Sequence, residues 1–226
     1  MKLFIDCGEI PVIESVADQV YGVTTNPTIL KAAGVTDYMG FAKELVRRFP
    51  WHSISLEVIA DDIATMNAQA RQLAAIGPNV FVKIPCQLTD GTTTVGLVDH
   101  LTADGIHVNC TALMTAYQVR MFNDAMADRA ECYLSIFAGR IADTGRDPAH
   151  LVRQAVEAAH ENVMVLWAST REAFNIKQAR DAGCDIITLT PDLLAKYAKY
   201  GRDLDEYSRE TVCMFFNDAK AAGLTL

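Results

Sequence analysis

The chain has 226 residues, half of them hydrophobic and 21% charged, with a net charge of −8. That balance supports a large core and argues against a general nucleic-acid or membrane-surface binder, either of which needs an excess of basic residues. It leaves room for a local basic pocket that takes an anionic metabolite, while no apolar run reaches the roughly 20 residues of a transmembrane helix.

Met1-Lys2-Leu3-Phe4-Ile5-Asp6 reads at once as a strand, without the basic and apolar regions of a secretion signal, so a cytoplasmic location is expected. Strand-like segments then recur at 2–6, 20–24, 53–58, 79–84, 106–110, 132–137, 162–168 and 185–189. Amphipathic helices separate them. Residues 61–76 start at Asp61-Asp62, place Ile63, Met66, Ala70 and Leu73 on one face, and stop at Gly77-Pro78. Asp147 is expected to cap a helix with Pro148 in its first turn and Leu151, Val152, Ala155 and Ala159 on its stripe. Thr170 is expected to cap the next, which runs to Ala182 before Gly183, and Thr190-Pro191-Asp192 opens another.

Eight βα units in series predict an α/β fold, a single-domain (β/α)8 barrel over residues 1–226 with an extra C-terminal helix. An open doubly wound sheet is the competing topology, but no glycine-rich dinucleotide or Walker sequence follows any strand. The extra helix, about 204–222, gathers Leu204, Tyr207, Val212, Phe215, Phe216 and Ala219. Adjacent aromatics on a helix point about 100° apart, so one surface cannot cover both, and a second copy of the chain is the expected cover. The alternative is that this is simply the eighth barrel helix. The six cysteines form no C-x-x-C pair, and no metal site is expected from them or from the five histidines.

In a (β/α)8 barrel, catalytic groups gather where strands end. There this sequence places Asp6, then Thr24-Thr25-Asn26-Pro27, Glu57, Lys83, and Asn109-Cys110-Thr111. Phe137 with Arg140, Ser169 with Arg171, and Thr188 with Thr190 complete the ring. Lys83 stands in the apolar run Phe81-Val82-Lys83-Ile84-Pro85. It is either a snorkelling lysine at a strand end or a desolvated amine, whose neutral form attacks a carbonyl to give a Schiff base. Asp6 or Glu57 can move the protons that imine formation requires, directly or through a water. Asn26 and Asn109 can hold hydroxyls, Thr111 can share a water with Glu57, and Arg140, Ser169 and Arg171 suit a phosphate.

The motifs Leu3-Phe4-Ile5-Asp6, Gly22-Val23-Thr24-Thr25-Asn26-Pro27-Thr28, Ser55-Leu56-Glu57-Val58 and Val82-Lys83-Ile84-Pro85 occur in this order. Asn109, Thr111, Tyr133-Leu134-Ser135-Ile136-Phe137-Ala138-Gly139-Arg140 and Ala168-Ser169-Thr170-Arg171 follow. The whole resembles the transaldolase family, in particular its short members and fructose-6-phosphate aldolase. The resemblance implies cofactor-free Schiff-base chemistry with Lys83 as the imine lysine, Asp6 as proton-transfer group, and Glu57 and Thr111 positioning a catalytic water. It implies that Asn26 and Asn109 hold a dihydroxyacetone unit, with Thr25 and Phe137 also among the substrate-binding residues. That unit would pass from a ketose phosphate, held at its phosphate by Arg140, Ser169 and Arg171, to an aldose phosphate. It also implies a homo-oligomer, a pentamer or a decamer, with the last helix reaching a neighbour. Fructose-6-phosphate aldolase has glutamine and tyrosine where this chain has Glu57 and Phe137, so transfer rather than simple aldol cleavage is expected. The chain departs from the family at Cys7, Ile136, Cys86-Gln87 and the threonine-rich loop 86–96, which leaves a modified ketose phosphate or a sulfonated sugar as further candidates. A barrel that only binds a sugar phosphate is the non-enzymatic alternative, and it would lack one of Asp6, Glu57 or Lys83.

Overall fold

The computed structural model describes residues 1–225, which divide into two compact units, the first 1–194 and the second from residue 195 onward. In the first, eight parallel strands close into a barrel in sequence order. They are β1 (Lys2–Asp6), β2 (Gly22–Thr24), β3 (Ser53–Glu57), β4 (Val80–Pro85), β5 (Val108–Leu113), β6 (Cys132–Ile136), β7 (Val163–Trp167) and β8 (Ile186–Leu189). All eight expected strands are present. The fifth runs three residues further than its sequence signal, through a register shift between Cys110 and Leu113.

Period-two alternation decides what fills the barrel. Phe4, Phe81, Tyr133, Leu166 and Ile186 form a buried cluster. Phe81 and Tyr133 stack at 4.0 Å, and Phe4 meets Tyr133 edge-on at 5.9 Å. Such pairs are worth roughly 0.5–1.5 kcal/mol beyond their buried area. Two residues along from Phe81 the same face of β4 presents Lys83, and two along from Tyr133 the same face of β6 presents Ser135. The apolar plug therefore gives way to polar groups toward the strand C-termini.

The expected helix caps fare unevenly. Asp62 caps Ile63–Ala74 by accepting the Thr65 N–H, and Met66, Ala70 and Leu73 are buried while Ile63 lies exposed at the first turn. Asp147 accepts the Ala149 N–H at 2.9 Å but stands one residue before the cap position, which Pro148 occupies instead of entering the first turn of helix Ala149–Ala158. Thr170 does not cap the helix that follows it. That helix starts only at Asn175, and its opening turn is held by the Asn175 side chain, which accepts the N–H groups of Arg171 and Glu172. Thr170 instead donates to the Thr188 carbonyl.

The threonine-rich loop after β4 satisfies its own backbone. Gln87 and Thr93 pair as an isolated bridge, the Thr94 hydroxyl donates to the Pro85 carbonyl, and Asp61 accepts from the Thr89 N–H.

In the second unit, helix Leu204–Ala221 is capped by Asp203 and held near its start by Arg202, which pairs with Glu210 and lies over the Tyr207 ring. Leu204, Val212, Phe215 and Phe216 are 62–79% exposed in the single chain. No helix among the described residues is long and apolar enough to cross a membrane, and they hold no cluster suited to a metal ion.

Candidate active site

A cavity of about 460 Å³ opens at the C-terminal end of the barrel. Alternate strands fill a barrel interior in layers of four. Here β2, β4, β6 and β8 bring Thr24, Lys83, Ser135 and Thr188 to the cavity, while β1, β3 and β5 bring Asp6, Glu57 and Thr111.

Lys83 is 5% exposed, so it does not snorkel into water. Its Nζ donates to the Thr25 carbonyl at 2.7 Å and lies 3.0 Å from Glu57 Oε2. The register pairs Glu57 with Lys83 directly, which accounts for the contact without any loop rearrangement. A carboxylate in hydrogen-bond reach of a buried amine can take the proton that must leave before the amine attacks a carbonyl. Tyr38 donates to the Glu57 carbonyl at 2.9 Å and fixes the end of β3.

Asp6 closes β1 beside Lys83 and Thr24. Burial drives its carboxyl above the ordinary carboxylate range, against the opposing pull of the Lys83 ammonium and the Thr24 hydroxyl. The raised value lets the group hold a proton in one step and accept one in another.

Two arginines also line the cavity. Arg140 lies 5.5 Å above the Phe137 ring and makes no ion pair among the described residues. Arg171 is clamped by Asp143: Nη2 donates to Oδ2 at 2.8 Å, and Nε lies 3.2 Å from both carboxylate oxygens. That hydrogen bond, first among its causes, holds the Asp143 carboxyl below its usual value. Ser169 sits in the left-handed region at φ 62°, a conformation that costs a non-glycine residue about 1–2 kcal/mol. Gly139 permits the approach of this loop, since a Cβ there would stand 1.6 Å from the Ser169 carbonyl oxygen.

Two residues expected to bind substrate do not line the cavity. Thr25, the first residue past β2, is fully buried with its hydroxyl on the Ser55 carbonyl, and contributes only the carbonyl that holds Lys83. Asn109 is fully buried, its amide donating to Ser55 Oγ at 3.0 Å and accepting from Ser135 Oγ at 2.7 Å. Asn26 does reach the cavity, although its side-chain oxygen also caps helix Pro27–Ala32 by accepting the Ile29 N–H. Lys83, Asp6, Glu57, Thr111, Phe137, Arg140, Ser169 and Arg171 share the cavity with it. The sequence reading passed over Ser135 and Asp143. Ser135 was findable by counting two back from Phe137 on an alternating strand, whereas Asp143 is recognised only by its partner 28 residues away.

Comparison with known proteins now bears on this geometry. The model of the transaldolase/fructose-6-phosphate aldolase family matches residues 3–225. A probable transaldolase of Dehalococcoides mccartyi is 31% identical over 207 residues, covering 88% of this chain and 91% of its own. A probable transaldolase of Caulobacter sp. is 33% identical over 206 residues, covering 88% and 90%. Among solved structures, 3-hexulose-6-phosphate synthase from Salmonella typhimurium aligns with a TM-score of 0.61 at 14% identity, over 84% of this chain and 89% of its own. The 3-keto-L-gulonate-6-phosphate decarboxylase of Vibrio cholerae gives 0.58 at 12% identity, over 84% and 87%. At such identities these two speak for the fold alone.

Proposed function

Because the chain belongs to the transaldolase/fructose-6-phosphate aldolase family, we propose that it is a class I transferase that carries a dihydroxyacetone unit from a ketose phosphate to an aldose phosphate on Lys83. The observation that carries this reading is the buried Lys83 amine, held between the Thr25 carbonyl and Glu57 with Asp6 beside it.

Lys83 gives a proton to Glu57 and its nitrogen attacks the C2 carbonyl of the ketose. The resulting carbinolamine loses its hydroxyl as water, for which neutral Asp6 supplies the proton, and the protonated imine forms. Asp6, now ionised, takes the proton of the C4 hydroxyl as the C3–C4 bond breaks. An aldose leaves, and the electron pair stays as an enamine on Lys83. The enamine carbon then attacks the carbonyl of the acceptor aldose, Asp6 returns its proton to the new hydroxyl, and water releases the product ketose. Ser135 and Asn26 are the groups placed to meet the hydroxyls of the retained unit. Arg140, Ser169 and Arg171 are placed to meet the phosphate.

Transfer is preferred over simple cleavage because Glu57 is a carboxylate in contact with Lys83 and Phe137 offers no hydroxyl at the strand-six position. The test uses fructose 6-phosphate with and without an aldose phosphate. The wild type should release little free aldose unless an acceptor is present, and Glu57→Gln/Phe137→Tyr should raise the cleavage-to-transfer ratio. An unchanged or lower ratio contradicts the assignment of transfer. An unphosphorylated ketose should be a poorer donor by about 10-fold or more, since hydrogen bonds to charged groups are worth roughly 1.5–3 kcal/mol; an equally good one contradicts the phosphate subsite.

The exposed Phe215 and Phe216 support a homo-oligomer in which helix Leu204–Ala221 lies against a second copy of the chain. Light scattering should give an assembly of at least five subunits that breaks up when residues 204–226 are removed. A full-length monomer, or a truncated chain that keeps its assembly, contradicts this.

A further inference from the structure

Strand β1 is flanked by β2 on one side and β8 on the other, and the threonine hydroxyls of these two neighbours meet beside the Asp6 carboxyl that ends β1. Thr24 Oγ1 donates to Asp6 Oδ1 at 2.8 Å, and Thr24 Oγ1 and Thr188 Oγ1 lie 2.6 Å apart. Both threonines are nearly fully buried, at 3% and 4% exposure. We propose that Thr188 is a positioning residue for the Asp6 carboxyl, acting through the hydroxyl of Thr24.

A hydroxyl has one proton to give and two lone pairs to receive with. The single proton of Thr24 is committed to Asp6, so at the contact between the two threonines Thr188 must donate. The chain therefore runs in one direction, from Thr188 to Thr24 to Asp6. Its links polarise one another, and a donor feeding Thr24 makes Thr24 the stronger donor to the carboxyl. Two consequences follow. Oδ1 is occupied as an acceptor, so a proton carried by Asp6 resides on Oδ2. The ionised form is favoured more than Thr24 alone would favour it, which offsets part of the cost of burying that charge. The charged and titratable groups around Asp6 are Lys83 from β4, Glu57 from β3 and the adjoining Cys7 thiol. From β2 the carboxyl receives the Thr24 hydroxyl, backed by that of Thr188 on β8, and neither brings a charge. Lys83 and Glu57 thus set the local charge, and the threonine pair sets which oxygen carries the proton.

The catalytic meaning of the chain rests on Asp6 being the proton-transfer group proposed above. The test is carbon-13 NMR of the full-length protein with labelled aspartate carboxyls, the Asp6 signal being assigned by its loss in Asp6→Asn. In Thr188→Val, which keeps the shape and removes the hydroxyl, the Asp6 midpoint should rise by about half a unit to one unit. Thr188→Ser should restore it. Thr24→Val should raise it at least as far, and adding Thr188→Val to Thr24→Val should add nothing, as for two members of one chain. With fructose 6-phosphate and an aldose phosphate, Thr188→Val should lower kcat by about 3- to 10-fold and leave KM within about 2-fold. An Asp6 midpoint unmoved in Thr188→Val, or shifts that add in the double variant, would overturn the chain. A raised KM at unchanged kcat would instead make Thr188 a substrate contact. Full turnover by Asp6→Asn would overturn the role of Asp6 itself, and the midpoint shifts would still report on the chain.

Discussion

Replacing Lys83 by Met should abolish turnover, lowering kcat by on the order of 10⁴ or more, because loss of a covalent nucleophile removes the whole route rather than one contribution to it. The same change should also alter stability in a pH-dependent way. Lys83 is the counter-charge of Glu57 at 3.0 Å, and its ammonium pulls the Asp6 carboxyl down against burial. Without it, two carboxyls share the cavity and lose the ammonium that offsets both. Breaking a buried pair by removing one partner costs about 3–5 kcal/mol where the remaining charge cannot neutralise. The Asp6 carboxyl, already raised, moves further up. A raised acid contributes stability that is fully present below its unfolded value and is lost as pH rises through the folded one. The melting temperature of Lys83→Met should therefore trail that of the wild type most at alkaline pH, and the gap should close on acidification. Lys83→Met/Glu57→Gln should recover much of the alkaline stability and none of the activity. A single variant that melts like the wild type across the pH range would contradict the charge balance described here.

Asp6→Asn should move activity and stability in opposite directions. A positioned proton-transfer group is worth about 10²–10⁴ in rate, so kcat should fall by at least 100-fold with KM little changed. The asparagine oxygen keeps the Thr24 hydrogen bond, since that bond uses Oδ1 as an acceptor. What disappears is the cost of ionising a buried acid. Burial raises the folded value of Asp6, so the wild type pays this cost increasingly as pH climbs above the ordinary carboxylate value near 3.9. Asp6→Asn should melt higher than the wild type at pH 8, with the difference vanishing toward pH 4. A variant that is inactive and also less stable at pH 8 would place Asp6 in the structure rather than in the chemistry.

The barrel was legible because its signals are periodic. Short apolar strands ending in polar residues alternate with amphipathic helices along the chain, and the closed sheet follows in sequence order. The site was legible wherever a residue stood at a strand end on the inward face. It was misread where parity was ignored. In Thr24-Thr25 only one threonine can face the barrel axis, and it is Thr24, beside Asp6, that does so. Asn109 has the inward parity but lies two residues below Thr111, so Ser135 and Ser55 enclose it under the cavity floor. The Arg171–Asp143 clamp joins two loops that strand and helix patterning cannot bring together. Thr170 failed as a cap for a local reason. Ser169 turns left-handed just before it, and the chain needs a further loop before helix Asn175–Asp181 can start.

The central claim is a covalent intermediate on Lys83, and trapping it is the direct measurement. The protein incubated with fructose 6-phosphate and reduced with borohydride should lose activity irreversibly and carry a three-carbon dihydroxyacetone adduct, which peptide mass spectrometry should place on Lys83. An adduct on any other lysine, or full activity and no adduct with fructose 6-phosphate and other ketose phosphates, would contradict the account.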